Sequence, residues 1–303
     1  MNARPSDAIR PRRSVLYVPG SNARAIDKAR QLPCDAVILD LEDAVAPEMK
    51  DTARAAVLAA VRAGGFGARE VIVRVNALDT AWGVPDLRAL GDCPADAVLV
   101  PKIRSADDIL HYDAALAHAP AALRLWAMVE TAACVFRLDG IAATAASTRL
   151  ACLVMGTNDL AKELRMQLDP LRAPLAAVLG LAVVAARSHE LALLDGVFNA
   201  FADTEGFEAQ CRQGLAYGFD GKTLIHPRQV EPCNAVFSPS EASVAWARRV
   251  RSAFDLPENA ARGALTVDGA MVERLHLAET DRLLALDAAI RTQGSSQAAP
   301  TST

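Results

Sequence analysis

The chain has 303 residues and a formal net charge of −4, and 52% of its residues are hydrophobic against 22% charged. This length and composition indicate a globular protein with a large core, folded as one large domain or two ordinary ones. Because there is no basic excess to neutralise phosphates, the charge argues against nucleic acid as the main partner, and we expect none.

Short runs of β-branched and aliphatic residues recur along the chain and predict eight strands. They are SVLYVP (14–19), AVILDLE (36–42), VIVRVN (71–76), AVLVPK (97–102), LRLWAMVE (123–130), LACLVMG (150–156), LALLDGVF (191–198) and GKTLIH (221–226). Segments of helical composition lie between them, such as residues 50–64 and 105–119. This alternation implies βαβ units and a parallel sheet, and eight units fit a (β/α)8 TIM barrel better than an open sheet.

Beyond the eighth unit, residues 239–256 predict an amphipathic helix, and residues 263–290 predict a β-turn followed by a long helix. Because the barrel is already complete, this helical extension must pack on its outside or on a neighbouring subunit. We therefore expect four parts: a flexible N-terminus (1–11), a TIM barrel (12–236), a C-terminal extension (237–291) and a disordered tail (292–303).

Three further features bear on where the protein works. No apolar run reaches the length of a membrane span, and the N-terminal residues contain no apolar signal core. The six cysteines are scattered without a CxxC pair, which favours reduced thiols over a disulfide framework or a zinc site. We expect a cytoplasmic protein with no membrane partner.

Polar residues follow almost every predicted strand, at the end where barrel enzymes place their active sites. Turn formers are common at such positions, but Arg, Lys and Glu emerging from apolar strands are not explained in that way. The set contains Pro19, Gly20, Asp40, Glu42, Asp43, Arg74, Asn76, Lys102, Glu130, Asn158, Asp159, Asn199 and His226. Taken together, these residues predict an active site at the carboxyl ends of the strands.

Glu130 and Asp159 end the fifth and sixth predicted strands, which are neighbours in a barrel. Two carboxylates with few other hard ligands suit Mg²⁺ completed by water and substrate oxygens. The alternative is that Glu130 caps a helix and Asp159 begins one.

Two cationic side chains also follow strands. Arg74 can bind a substrate carboxylate with its guanidinium fork, and an ion pair with Asp40 or Glu42 is the competing or additional role. Lys102 either contacts the metal-binding or substrate-binding side chains without touching metal or substrate itself, or forms a structural salt bridge.

Seven motifs stand along the chain in this order: RRSVLYVPGSNARAIDKA, DAVILDLEDAVAPEMKDTAR, VIVRVN, VPKI, VET, GTNDLA and DGKTLIHPRQV. In sequence and in order they closely resemble the HpcH/HpaI aldolase and citrate lyase β-subunit family, nearest to its citrate lyase β-like and malyl-CoA lyase-like members. The resemblance covers roughly residues 12–290. It implies a TIM barrel, a divalent metal (Mg²⁺, with Mn²⁺ as a substitute) and C–C bond chemistry next to a carbonyl, often on an acyl-CoA.

The resemblance also implies roles for individual residues. Glu130 and Asp159 would be the metal ligands, and Glu130 would also contact the substrate. Arg74 would bind the carboxylate of the α-keto or hydroxy acid. Glu42 and Asp43 would line the water shell of the metal and take part in catalysis.

Other implied residues lie nearer the ends of the chain. Gly20 would lie against the substrate, and Arg13, Ile225 and His226 fall where relatives meet the CoA moiety. In malyl-CoA lyase-like relatives the segment DGKMVD delivers an aspartate into a neighbouring subunit's active site. Here the segment is DGAMVE, so Glu273 stands in that place and its carboxylate is one methylene farther from the backbone.

These observations lead us to expect a Mg²⁺-dependent C–C lyase that cleaves a hydroxyacyl-CoA, such as malyl-CoA or citramalyl-CoA, into an acyl-CoA and an α-keto acid. Three alternatives stay open: a hydrolase of a malyl-type thioester, a citrate lyase β-subunit acting on an acyl-carrier-protein thioester, and a catalytically silent binding relative. The retention of Glu130, Asp159 and Arg74 argues against the last. We also expect a homotrimer, or a hexamer built from trimers.

Overall fold

The computed structural model describes residues 9–298, with side chains up to residue 294. Eight parallel strands pair in chain order, and the eighth pairs with the first, which confirms the predicted (β/α)8 TIM barrel. The strands are β1 (Ser14–Pro19), β2 (Ala36–Asp40), β3 (Glu70–Arg74), β4 (Ala97–Val100), β5 (Arg124–Val129), β6 (Leu150–Met155), β7 (Ala192–Asp195) and β8 (Gly221–Leu224).

Helices connect the strands on the outside of the barrel. They are α1 (Ala23–Ala29), α2 (Lys50–Ala63), α3 (Gly83–Ala89), α4 (Ala106–Ala115), α5 (Ala132–Val135), α6 (Leu138–Ala143), α7 (Thr157–Glu163), α8 (Ala176–Ser188) and α9 (Thr204–Tyr217). A last helix, α10 (Val230–Phe237), follows β8. After β1, the observed strands end one to three residues before the predicted runs do, because the chain leaves the sheet there to form the loops of the site.

The side chains of the barrel alternate between two apolar layers. Those that point outward pack against the helices. Those that point inward fill the barrel: Val15, Ala36, Ile38, Ile72, Ala97, Leu99, Trp126, Met128, Cys152, Val154 and Leu194. The parallel register of β2 and β3 pairs Ile38 with Ile72 and then Asp40 with Arg74. Asp40 and Arg74 therefore point inward at the upper end of the barrel.

A second compact unit is formed from Ser238 onward, together with the described residues before Arg12, whereas the barrel unit spans Arg12–Phe237. It contains α11 (Glu241–Asp255), an antiparallel hairpin of β9 (Ala264–Val267) and β10 (Ala270–Glu273), and α12 (Leu277–Ala298). Its small core consists of Val250, Phe254, Leu265, Val267 and Val272.

The second unit differs from expectation in two places. The segment predicted as a β-turn is a complete two-stranded hairpin, whose turn uses the left-handed residues Asp268 and Gly269. The tail expected to be disordered from residue 292 is helical up to Ala298, as the last part of α12. The remaining residues of that tail, 299–303, and residues 1–8 of the expected flexible N-terminus lie outside the described residues. No helix within the described range is both long enough and apolar enough to cross a bilayer.

Candidate functional site

The first part of the site is a buried ion pair between Arg74 and Asp40, the last residues of β3 and β2. Arg74 donates Nε to Asp40 Oδ1 at 2.7 Å and Nη2 to Asp40 Oδ2 at 2.6 Å. Its guanidinium also lies over the ring of Tyr17, 4.8 Å from the ring centroid. Asp40 accepts two further hydrogen bonds, from the backbone N–H of Glu42 at 2.9 Å and of Ala44 at 3.1 Å. One carboxylate therefore fixes both Arg74 and the loop after β2.

This arrangement changes the role expected for Arg74. The fork formed by Nε and Nη2, which we expected to grip a substrate carboxylate, is already filled by Asp40. The ion pair named as an alternative is therefore the one that the fold adopts. What Arg74 presents toward the site is its outer end at Nη1, which lies 2.8 Å from Glu42 Oε2 and 3.8 Å from Asp43 Oδ2.

Glu42 is a buried acid with one unsatisfied oxygen. The contact between Arg74 Nη1 and Glu42 Oε2 is short but not aligned as a hydrogen bond, so Oε2 has no hydrogen-bond partner among the described residues. Burial raises the pKa of Glu42 to about 7, and the opposing charge of Arg74 only limits that rise. The Asp43 side chain, by contrast, is 60% exposed. Glu42 is thus suited to accept and release a proton near neutral pH.

The loop that carries Glu42 is held by Lys50, which is not among the site residues predicted from the sequence. Lys50 is buried at the start of α2 and donates Nζ to the carbonyls of Leu41 at 2.8 Å and Glu42 at 2.7 Å. Asn76, which follows β3, also donates to the Leu41 carbonyl, at 3.0 Å. A cation in the first turn of a helix is unfavourable to the helix dipole. A lysine at the predicted start of a helix is therefore a sequence signal that its ammonium has another partner.

The second part of the site joins Glu130, Lys102 and Asp159. Glu130 follows β5 and is 1% exposed, and its Oε1 accepts the backbone N–H of Lys102 at 2.7 Å. The Lys102 ammonium lies 2.7 Å from Asp159 Oδ2, 3.6 Å from Glu130 Oε1 and 4.0 Å from Glu42 Oε1. Glu130 does not cap the next helix, because Thr131 does so, whereas Asp159 does lie in the first turn of α7.

Burial raises the pKa of Glu130 against the lowering effect of the Lys102 charge. Burial also acts to lower the pKa of Lys102, but its hydrogen bond to Asp159 and the charges of Glu130 and Glu42 outweigh this effect and raise that pKa to about 12. Lys102 is therefore an ammonium ion surrounded by three carboxylates.

These side chains fit a hard divalent cation. Glu130 Oε2 is buried without a hydrogen-bond partner in the described part of the chain, and the ammonium of Lys102 already lies between Glu130 and Asp159. Carboxylate oxygens are the ligands that Mg²⁺ prefers, usually one or two per site with water and substrate completing the octahedron. Across residues 9–298 no cluster of three or more His, Cys, Asp or Glu side chains is arranged as a metal cage. The donor set matches Mg²⁺ better than a structural zinc site.

Two glycines allow close approaches around these acids. A Cβ on Gly156 would lie 2.7 Å from Glu130 Oε2, so glycine lets the end of β6 pass beside that carboxylate. A Cβ on Gly20 would lie 2.7 Å from the Asp40 carbonyl oxygen, which accepts the Gly20 N–H at 2.8 Å. Gly20 therefore has a structural reason to be glycine, and its contact with substrate stays a prediction.

The structure separates the three residues expected to meet CoA. Ile225 and His226 follow β8 at the same end as Glu130, and the His226 ring stacks on Phe201 with 4.7 Å between centroids. Arg13 precedes β1 and so lies at the opposite end of the barrel, where Asp35 accepts its Nε at 2.8 Å and its Nη2 at 2.7 Å. Arg13 therefore does not lie beside Ile225 and His226, and the contact of these residues with CoA stays a prediction.

Glu273 ends β10 in the second unit. Its side chain accepts the backbone N–H of His276, and its own N–H donates to His276 Nδ1 at 3.1 Å, so it caps the short turn that follows. An active-site role for Glu273 in a neighbouring subunit stays a prediction.

Comparison with known proteins places this geometry in a family. A profile of the HpcH/HpaI aldolase/citrate lyase family matches residues 13–227. The chain is 49% identical over 280 residues to a (3S)-malyl-CoA thioesterase of Cereibacter sphaeroides, covering 92% of this chain and 96% of that protein. It is 33% identical to an L-malyl-CoA/beta-methylmalyl-CoA lyase of the same species, covering 89% of this chain and 92% of the lyase.

A solved structure extends the likeness to the fold. The crystal structure of protein CitE from Mycobacterium tuberculosis, in complex with magnesium, acetoacetate and coenzyme A, is 30% identical to this chain with a TM-score of 0.71. The match covers 91% of this chain and 97% of that one. This chain is therefore an enzyme of the HpcH/HpaI aldolase/citrate lyase family.

Proposed function

We propose that this protein is a Mg²⁺-dependent enzyme that hydrolyses a malyl-type CoA thioester to the free hydroxy acid and CoA. The observation that carries the proposal is the convergence of Glu42, Glu130 and Asp159 on one ammonium at the carboxyl ends of the strands. Hydrolysis is favoured over C–C cleavage by the 49% identity to the malyl-CoA thioesterase, against 33% to the lyase.

Glu130 and Asp159 would hold the metal, and Mg²⁺ would supply a Lewis acid that polarises substrate oxygens. Asp40 binds Nε and Nη2 of Arg74 and fixes its orientation. The remaining nitrogen, Nη1, would bind the free carboxylate of the substrate. This end-on contact sets the orientation of the hydroxy-acid part.

Glu42 would act as the general base, because its pKa of about 7 leaves a large share of it ionised at neutral pH. In hydrolysis it would take a proton from the water that attacks the thioester carbonyl, and the CoA thiolate would leave. In the lyase reaction the same carboxylate would take the proton of the substrate hydroxyl. The C–C lyase predicted from the sequence is therefore the second candidate, since the same base serves both reactions.

The location and assembly of the enzyme belong to the proposal as well. All six cysteines are free and buried, and we place the protein in the cytoplasm, where thiols stay reduced. We also propose that it works as a homo-oligomer, without nucleic acid or membrane partners.

Product analysis tests the reaction. (3S)-malyl-CoA is incubated with the protein and Mg²⁺, and released thiol is measured beside keto acid. We expect thiol release without keto acid, and loss of the reaction in chelator. Acetyl-CoA and glyoxylate in equal amounts would identify the lyase instead.

Glu130→Gln and Asp159→Asn are the matched variants for the metal, because each keeps the size of the side chain and removes one charge. Both should lose Mg²⁺ affinity and turnover together. Near-normal turnover of either variant in chelator would overturn the metal assignment.

A further inference from the structure

We propose that Lys102 is the built-in cation of this site: its ammonium occupies the place between the carboxylates when no metal is bound and leaves that place when Mg²⁺ enters. The inference rests on the proposed metal site and adds a residue that sets the affinity of the site for metal. It makes Lys102 a positioning residue for the two metal-binding acids.

The first support is the geometry of the ammonium. Its distances of 2.7 Å to Asp159, 3.6 Å to Glu130 and 4.0 Å to Glu42 bring it to acids that follow three different strands. Glu130 is fully buried and Glu42 nearly so, and buried carboxylates are costly without a counter-ion. In the metal-free protein Lys102 supplies that charge.

The second support is the backbone of the same residue. Lys102 has φ of +54°, a left-handed conformation that a residue with a side chain adopts at a cost. Such conformations persist where the surroundings enforce them. Here Glu130 Oε1 accepts the Lys102 N–H at 2.7 Å. The backbone of Lys102 thus orients one acid while its ammonium binds the other.

The third support is that the Lys102 side chain borders on solvent, into which its ammonium can move. The Lys102 side chain is 37% exposed, and so is that of Asp159. A divalent ion held by Glu130 and Asp159 would lie within a few ångströms of the present ammonium position, where two cations repel each other strongly. Metal entry therefore requires the flexible lysine stem to swing outward, and Lys102 lowers the metal affinity while it stabilises the metal-free fold.

Metal binding without substrate tests the inference. Lys102→Met removes the charge and keeps an unbranched side chain, and Lys102→Asn removes the charge with a residue that tolerates the left-handed conformation. Lys102→Arg is the control that keeps the charge. Mg²⁺ affinity is measured by titration calorimetry, and the melting temperature is measured in EDTA and in Mg²⁺.

We expect both neutral variants to bind Mg²⁺ about tenfold more tightly than the wild type, and Lys102→Arg to bind no more tightly. In EDTA the neutral variants should melt at a lower temperature than the wild type, and Mg²⁺ should raise their melting temperature by more.

Two results would overturn the inference while leaving the metal site intact: a wild type that binds Mg²⁺ together with neutral variants that bind no better, or tighter binding in only one of the two neutral variants. If neither the wild type nor the neutral variants bind Mg²⁺, the metal site and the proposed function both fall, and this inference falls with them.

Discussion

At the scale of single residues, Asp40 organises the site although it faces no open part of it. It receives two hydrogen bonds from Arg74 and two from the backbone of the following loop, so all of its strong acceptor directions are used. Arg74 is consequently held in one orientation, with Tyr17 covering the face of its guanidinium. The fixed Arg74 presents Nη1 next to Glu42.

Arg74→Lys should be far from conservative. A lysine cannot make the two parallel bonds to Asp40 and also reach Glu42, so a buried carboxylate loses a partner and the outer contact is lost. We expect kcat/KM to fall by about 100-fold or more, measured under the product assay, with the barrel still folded by circular dichroism. Kinetics equal to the wild type would leave Arg74 with a purely structural role.

Glu42 should make stability depend on pH in a specific direction. Its pKa is raised from 4.5 to about 7, so between these values the folded chain holds a proton that the unfolded chain has released. Stability from this group is therefore present at low pH and is lost as the pH rises toward 7. In chelator, Glu42→Gln should become more stable relative to the wild type between about pH 5 and pH 8.

Urea unfolding of both proteins across that pH range measures the effect. Glu48→Gln is the matched control, because it is the same substitution at an exposed glutamate whose charge is not among those that shift the pKa of Glu42, so it should leave the pH dependence unchanged. A constant difference between Glu42→Gln and the wild type across the range would contradict the raised pKa.

At the scale of elements, a second buried charge network ties β7 and β8 to α9, below the loops of the site. Asp195, at the end of β7, accepts Lys222 Nζ at 2.8 Å and Arg172 Nη1 at 2.6 Å, and Gln210 of α9 accepts Lys222 at 2.9 Å. Burial acts to raise the pKa of Asp195, but the charges of Lys222 and Arg172 outweigh it and lower that pKa. The network therefore holds β7, β8 and α9 together and has no direct part in the proposed reaction.

Lys222→Met should therefore reduce stability without changing the proposed metal site. Removing Lys222 leaves Asp195 with Arg172 as its only cationic partner among the described residues, and we expect a cost of about 3 kcal/mol in the free energy of unfolding. Urea unfolding measures it. Arg212→Gln, which breaks an exposed pair with Glu208 on the same helix, should cost less than about 1 kcal/mol. Equal costs for both substitutions would refute the argument.

Element boundaries were the least predictable part of the fold. The strands were recognised because burial on both faces leaves continuous apolar runs. The ends of the strands are harder to predict, because the predicted strand segments continue to residues such as Glu42 and Lys102 after the backbone has already left the sheet. The sequence predicts only a turn where the hairpin of β9 and β10 lies, since its exposed strands give little apolar signal.

At the scale of the whole molecule, the second unit exposes apolar side chains. Met271 is 73% exposed and Leu275 is 69% exposed, on either side of Glu273. We expect a neighbouring protomer to cover this surface. The expectation of a homotrimer, or a hexamer built from trimers, rests on that contact.

A mixing experiment tests that expectation. If Glu273 serves the site of the next subunit, oligomers mixed from Glu273→Gln and Glu130→Gln chains should regain part of the activity that each variant lacks, because some interfaces combine two intact halves. Light scattering verifies the assembly, and unmixed variants are the controls. Absence of rescue in verified mixed oligomers would count against the shared site, and a monomer in solution would remove its basis.

The order of apolar runs along the chain is enough to predict the barrel. The residue types that end each strand are enough to predict an active site at that end, with Glu130 and Asp159 as its metal-binding acids. Which charge each side chain meets cannot be predicted in this way. Arg74 and Asp40 are 34 residues apart, and Lys102 and Asp159 are 57 apart, so their pairing depends on strand register and loop course rather than on local pattern. For the same reason Arg13, one residue before a strand, reached the opposite end of the barrel.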